Sequence, residues 1–88
     1  MTTFDPAKDK SNLAKHGVAL SAAADFDWET AVHVEDESEA YGEQRDRAIG
    51  FIGLDLYFYV YTLRGDEDHA ISLRPATRQE RRAYVQNR

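Results

Sequence analysis

The chain has 88 residues, no cysteine, and 16 acidic against 11 basic side chains, for a net charge of -5. At that length one domain, residues 1–88, is expected, with a core able to bury only about 60–65 % of the unfolded surface. Neither disulfides nor a thiolate metal site can staple such a fold, and the negative balance argues against a non-specific polyanion binder.

Met1 to Lys10 is polar and charged, with no apolar stretch that would make a signal peptide or membrane helix, so a soluble cytoplasmic protein is expected. Asp5 can cap a first helix with Pro6 at its first position, the pattern runs through Leu13 to Lys15, and Gly17 supplies a stop. Helical spacing puts Lys8, Asn12 and Lys15 on one polar face. Lys8 near the N-terminus opposes the helix dipole, which hints at a reason beyond helix stability, although a solvated lysine offset by Asp5 and Asp9 accounts for it as well. His16 falls at the other end, where the dipole favours its charged form and a capping role suffices. Val18 and Leu20 lead into a short second helix, Ser21 to Phe26, built on Ala22, Ala23 and Ala24.

"TAVHVED" alternates like a strand, and Ser38 to Glu43 reads as a polar loop. "RDRAIGFIG" and "DLYFYVYTLR" are rich in β-branched and aromatic residues and predict two further strands. The second is heavy on both faces, with Leu56, Phe58, Val60 and Thr62 on one and Tyr57, Tyr59, Tyr61 and Leu63 on the other. It should be central, its aliphatic face carrying the helices and its tyrosine face meeting solvent, a partner or nucleotide bases. "RGDED" predicts a turn containing Arg64, and "HAISLR" a last strand ended by Pro75. Three or four such strands make an antiparallel meander.

Thr77 and Glu80 form a capping box that opens a C-terminal helix. Ala76, Glu80, Ala83 and Tyr84 share its inner face; Arg78 and Arg82 lie opposite, with Arg81 and Arg88 toward the edge. Asp25 to Asp46 is an acidic belt broken by Arg45 alone, whereas both ends of the chain are basic. Mixed surface charge explains this, as does one basic surface assembled from the two termini.

His16, His33 and His69 are scattered, the acidic loop lacks a calcium-site pattern, and neither a phosphate loop nor a nucleophile elbow occurs, so no metal and no cofactor are expected. The Lys, Arg, His, Glu and Tyr groups that remain suit metal-free RNA cleavage. There the ribose 2′-hydroxyl is the nucleophile, a base accepts its proton, cations steady the phosphate charge and an acid protonates the 5′-oxygen. Spacing alone does not single out that reaction.

The order of the pieces narrows the choice. "FDPAKDKSNLAKHGV" resembles the opening of the BrnT family of toxins, and "YGEQR", "YTLRGD" and "ISLRPATRQERRAY" follow in that family's order and spacing over nearly the whole chain. The resemblance implies an α+β fold of RelE-like kind, a small antiparallel meander with two N-terminal helices and a C-terminal helix. It also implies a ribonuclease toxin that inhibits translation and growth, encoded beside a BrnA-like ribbon-helix-helix antitoxin, with operator DNA bound only through the antitoxin complex. Carried onto this sequence, the family's motif residues are Lys8, His16, Arg64, Arg74, Glu80 and Tyr84. Arg64 and Arg74 would hold the scissile phosphate, Glu80 or His16 would accept or donate the proton, and Lys8 would add charge. Lys15, Arg81 and Tyr84 would contact RNA, or Tyr84 would merely pack.

Two departures stand out. Pro75 occupies a place that is usually basic in the family, and Glu67 and Asp68 replace residues more often apolar, so the last strand is expected to begin later. A non-catalytic module that only binds its antitoxin is the rival reading. A repressor acting alone would need a basic groove-sized face.

Overall fold

The computed structural model describes residues 1–34 and 45–87. The expected Ser38–Glu43 loop, five of the nine acidic residues of the acidic belt and Arg88 lie outside them. Helix α1 spans Pro6–His16 and α2 spans Arg78–Gln86, with a 3-10 helix at Leu20–Asp25. Strands β1 (Val32–Val34), β2 (Asp46–Ile52), β3 (Asp55–Arg64) and β4 (Glu67–Pro75) form one antiparallel sheet in the order β1-β2-β3-β4. The protein is α+β, a four-stranded meander with helices at both ends of the chain.

Helix α1 starts and stops where its cap residues dictate. The Asp5 side chain accepts a hydrogen bond from the Ala7 amide at 2.9 Å, Pro6 opens the first turn, and Gly17 closes the last one at φ 77°. The following segment also folds where expected but winds as a 3-10 helix, which suits a six-residue stretch with no side-chain cap.

Residue alternation sorts the sheet into two faces. Tyr59 and Tyr61 of β3 lie beside Ala48 of β2 and Leu73 and Ala70 of β4, and these five side chains form the main core with Leu20, Ala23 and Phe26. The expectation that the aliphatic face would carry all the helices is therefore corrected. The tyrosine face takes the N-terminal helices and the aliphatic face takes α2. Either face of β3 offers enough apolar area to be covered, and the small residues Ala48, Gly50 and Ala70 opposite the tyrosines leave room for the 3-10 helix to approach. Gly50 shows how close that approach is: a Cβ there would stand 2.5 Å from the Phe26 ring. Trp28 completes the cluster, meeting Phe26 and Tyr61 edge to face at 4.8 and 5.1 Å between centroids.

Asn12, expected on a polar face of α1, is instead the residue that the helix buries, at 7 % exposure. Its amide nitrogen donates to the carbonyls of Val18 and Leu73, both at 2.7 Å, and its oxygen accepts from the Leu73 amide. The outer edge of β4 would otherwise leave these main-chain groups dry and unpaired, so a buried amide is stabilising there. Farther along the same edge Thr3 exchanges main-chain bonds with Asp68 and Ala70.

Strand β4 begins at Glu67, earlier than expected, because Asp68 is tied on both sides: Tyr59 donates to its carboxylate at 2.7 Å and Thr2 at 3.0 Å. Gly65, at φ 63°, makes the two-residue turn between Arg64 and Glu67. Val60 pairs with Ser72 and Tyr61 with Ala70, so Ile71 is a bulge. That extra residue brings Leu73 and Ala70 to the same face although they are three positions apart.

Candidate functional site

The junction of β4 and α2 gathers a connected set of polar contacts on the aliphatic side of the sheet. Arg74 points there because it pairs with Phe58 in β3, and its guanidinium lies over the Phe58 ring, 4.4 Å from the centroid. Pro75 ends the strand, Thr77 caps the helix, and the first turn of α2 swings Glu80 back against Arg74. Two nearly parallel bonds join them, Nη1 to Oε1 at 2.7 Å and Nη2 to Oε2 at 2.8 Å. The Thr77 amide donates to Oε1 at 2.8 Å while the Glu80 amide donates to Thr77 Oγ1 at 3.2 Å. One carboxylate thus serves both the capping box and the ion pair.

The pair is part-buried, with side-chain exposures of 31 % for Arg74 and 20 % for Glu80. Burial pushes the Glu80 carboxyl up, but the hydrogen bonds from Arg74 and the Thr77 amide, with the Arg74 charge, outweigh it and hold the group below the usual carboxylate range. The bond to Glu80 likewise raises Arg74, against a smaller opposing effect of burial. Glu80 is therefore an ionised carboxylate with both oxygens occupied. That fits orienting a guanidinium better than taking up a proton near neutral pH.

The other expected site residues are distributed more widely. Arg64 is on the same face as Arg74 but at the opposite end of β3, six residues beyond Phe58, or about 20 Å along the strand. With Arg74 held by Glu80 and Phe58, the two arginines do not converge on one phosphate. Lys8 and Lys15 are exposed on α1 and His16 is half-buried in its last turn. Thr3 lies beside Ala70 and Asn12 beside Leu73, so α1 advances along β4 toward its Arg74 end, and Lys15 and His16 follow in that direction. Arg81 is exposed on α2. Tyr84 is 2 % exposed and packs edge to face on Phe51 at 5.5 Å, the packing side of its two expected roles. No hydrogen bond or ion pair among those described joins Lys8, Lys15 or His16 to the Arg74–Glu80 pair.

Arg47 was not among the expected residues. It pairs with Val60, so it shares the face of Phe58 and Arg74. The signal was present in "RDRAIGF", whose alternation puts Arg45 and Arg47 on the side of Ile49 and Phe51.

A protein-family model described as ribonuclease toxin, BrnT, of type II toxin-antitoxin system matches residues 4–80. No curated protein matches the chain. The match takes in Lys8, Lys15, His16, Arg64 and Arg74 and ends on Glu80, leaving Arg81 and Tyr84 beyond it. This chain belongs to the BrnT family of ribonuclease toxins, which brings with it an RNA target and an antitoxin partner. Among the described residues no helix is long and apolar enough to cross a membrane.

Proposed function

We propose that the protein is a metal-independent endoribonuclease whose centre is Arg74, held by Glu80 at the junction of β4 and α2, and that it acts in the cytoplasm to stop translation. The observation that carries this reading is the two-pronged Arg74–Glu80 contact, part-exposed and backed by Phe58, because a carboxylate that takes one N–H from each terminal nitrogen fixes the guanidinium plane and orients its remaining N–H groups toward a phosphate's oxygens. In the reaction the ribose 2′-oxygen attacks the adjacent phosphorus, the phosphorus–5′-oxygen bond breaks, and a 2′,3′-cyclic phosphate and a free 5′-hydroxyl result. Arg74 stabilises the charge that builds on the phosphoryl oxygens. Glu80 positions Arg74. The proton-transfer role falls to His16, whose turn of α1 heads toward the Arg74 end of β4, and Lys8 and Lys15 add positive charge along the same helix. Arg64 and Arg81 contact RNA away from the scissile bond. A ribbon-helix-helix antitoxin neutralises the toxin and carries it to operator DNA.

The second reading, a module that binds only its antitoxin, is favoured by the same pair seen from the other side. Both Glu80 oxygens and both Arg74 terminal nitrogens are spent on each other, and exposed Pro75 stands where the family usually has a cation. Incubating the purified chain with labelled single-stranded RNA in EDTA, beside Arg74→Ala and Glu80→Ala, separates the two. Cleavage to 2′,3′-cyclic ends that both variants lack is the expected result; equal inactivity of three folded proteins would favour the binding module.

A further inference from the structure

Helix α1 is docked by a polar clamp. Among its described residues Asn12 alone is buried, while Leu13, its largest aliphatic side chain, is more than half exposed. An amphipathic helix is ordinarily held by an apolar stripe, and α1 has none within its own span. What fixes its position is therefore directional: the three hydrogen bonds of the Asn12 amide, two of them at 2.7 Å.

The partners of that amide stand on either side of the proposed chemistry. Val18, whose carbonyl accepts one N–H, is two residues past His16, and Leu73, whose carbonyl accepts the other and whose amide donates to the side-chain oxygen, is the residue before Arg74. One side chain thus ties the main chain just beyond His16 to the main chain just ahead of Arg74. The segment between Asn12 and Val18 turns at Gly17 and carries His16, half-buried, between the two anchors. Satisfying the edge of β4 does not require this arrangement. Thr3 meets the same need at Asp68 and Ala70 with its main chain, and the bond from Asn12 to Val18 adds nothing to the strand edge. That third bond serves the His16 turn.

We infer that Asn12 is a positioning residue of the ribonuclease, whose amide sets the distance and angle at which the His16 turn meets the phosphate held by Arg74. The inference rests on the proposed ribonuclease reading and adds to it the device that registers its two halves, α1 and the β4–α2 junction. A proton-transfer group must come within about 3 Å of the atom it serves, and a misplacement of about 1 Å costs about 100-fold in rate. Apolar packing lets a helix slide by that much; a buried, fully satisfied amide does not. Because Asn12 acts through His16 and touches no RNA, its loss should lower kcat and leave KM.

The test is steady-state cleavage of single-stranded RNA in EDTA by the full chain, with Asn12→Ser, His16→Ala and the double variant. Asn12→Ser should lower kcat about 100-fold with KM within about twofold of wild type. In the double variant the effects should not multiply: once His16 is gone its placement is immaterial, so the pair should be no slower than His16→Ala alone. Asn12→Gln, which keeps the amide but moves it by one methylene, is the second variant and should behave like Asn12→Ser. Asp9→Ala removes another tether of α1, its bond from the Ser21 amide at 2.8 Å, and should cut at the wild-type rate. Thermal melts confirm that each variant is folded at the assay temperature.

Effects of Asn12→Ser and His16→Ala that multiply in the double variant would overturn the inference, since Asn12 would then be general support. So would an equal fall in Asp9→Ala, and so would folded Asn12 variants with wild-type kcat beside a slow His16→Ala. Wild-type cleavage by His16→Ala is the distinct result that refutes the proton-transfer role proposed for His16, and the inference falls with it.

Discussion

The two faces of the sheet divide the work of the molecule. The tyrosine face is closed by α1 and the 3-10 helix, holds Leu20, Tyr59 and Leu73 at 0 % exposure, and has aspartates among its charged groups. Among the described residues the α2 face is covered by one nine-residue helix, carries the arginines of the sheet, and ends at the part-exposed Arg74–Glu80 pair. In so small a protein a single face supplies most of the core.

This division is most directly stressed by a cavity. Leu73→Ala on the closed face should cost about 3 kcal/mol, read by urea unfolding, because Leu73 is fully buried and its neighbours are fixed in the sheet. Where the variant is still folded, RNA affinity should be unchanged. Glu80→Ala on the other face removes a helix cap and strips Arg74 of its partner, and should cost about 2 kcal/mol while abolishing cleavage. Because folding lowers the Glu80 carboxyl, its contribution is complete above the unfolded value of about 4.3 and is lost as pH falls through the folded one. Glu80→Gln should therefore flatten the acid limb of the stability curve.

The smallest of these effects belongs to a single hydroxyl. Tyr59→Phe should cost about 1 kcal/mol by losing the bond to Asp68. Burial first, then Asp68, raises the Tyr59 phenol well above its usual range. Stability that depends on the neutral phenol is in place below the unfolded value of about 10 and is lost as pH rises beyond it, so Tyr59→Phe should blunt alkaline unfolding.

Much of the framework was legible in the sequence. Asp5, Pro6 and Gly17 mark the ends of α1, the Thr77–Glu80 capping box marks the start of α2, and β3 spans the predicted Asp55–Arg64. Local signals sufficed there because caps and alternation are set by near neighbours. What depended on distant partners was not legible. Asn12 looked polar and exposed until its bonds to Leu73, 61 positions on, were known. The early start of β4 follows from Thr2 and Tyr59 holding Asp68. Neither heavy face of β3 announces which helix it will take, and the bulge at Ile71 reverses the alternation on which any reading of β4 relies.

For the site, the helical wheel placed Glu80 and Tyr84 on the packed side of α2 and put Glu80 near Arg74, and both features are present. The gathering of Arg64 with Arg74 was not, since a hairpin turning at Gly65 sends the two to opposite ends of β3. The face of Arg47 is legible only when the alternation of "RDRAIGF" is followed residue by residue, since the segment as a whole reads as an apolar strand.

The central claim is that the cleavage centre lies at Arg74 on the α2 face and that the tyrosine cluster of the other face is support. It is tested most directly by one cleavage assay in EDTA comparing Arg74→Gln with Tyr61→Phe, both verified as folded. The account predicts that Arg74→Gln loses cleavage while Tyr61→Phe cuts at the wild-type rate. Retained cleavage in Arg74→Gln, or its loss in Tyr61→Phe, would contradict it.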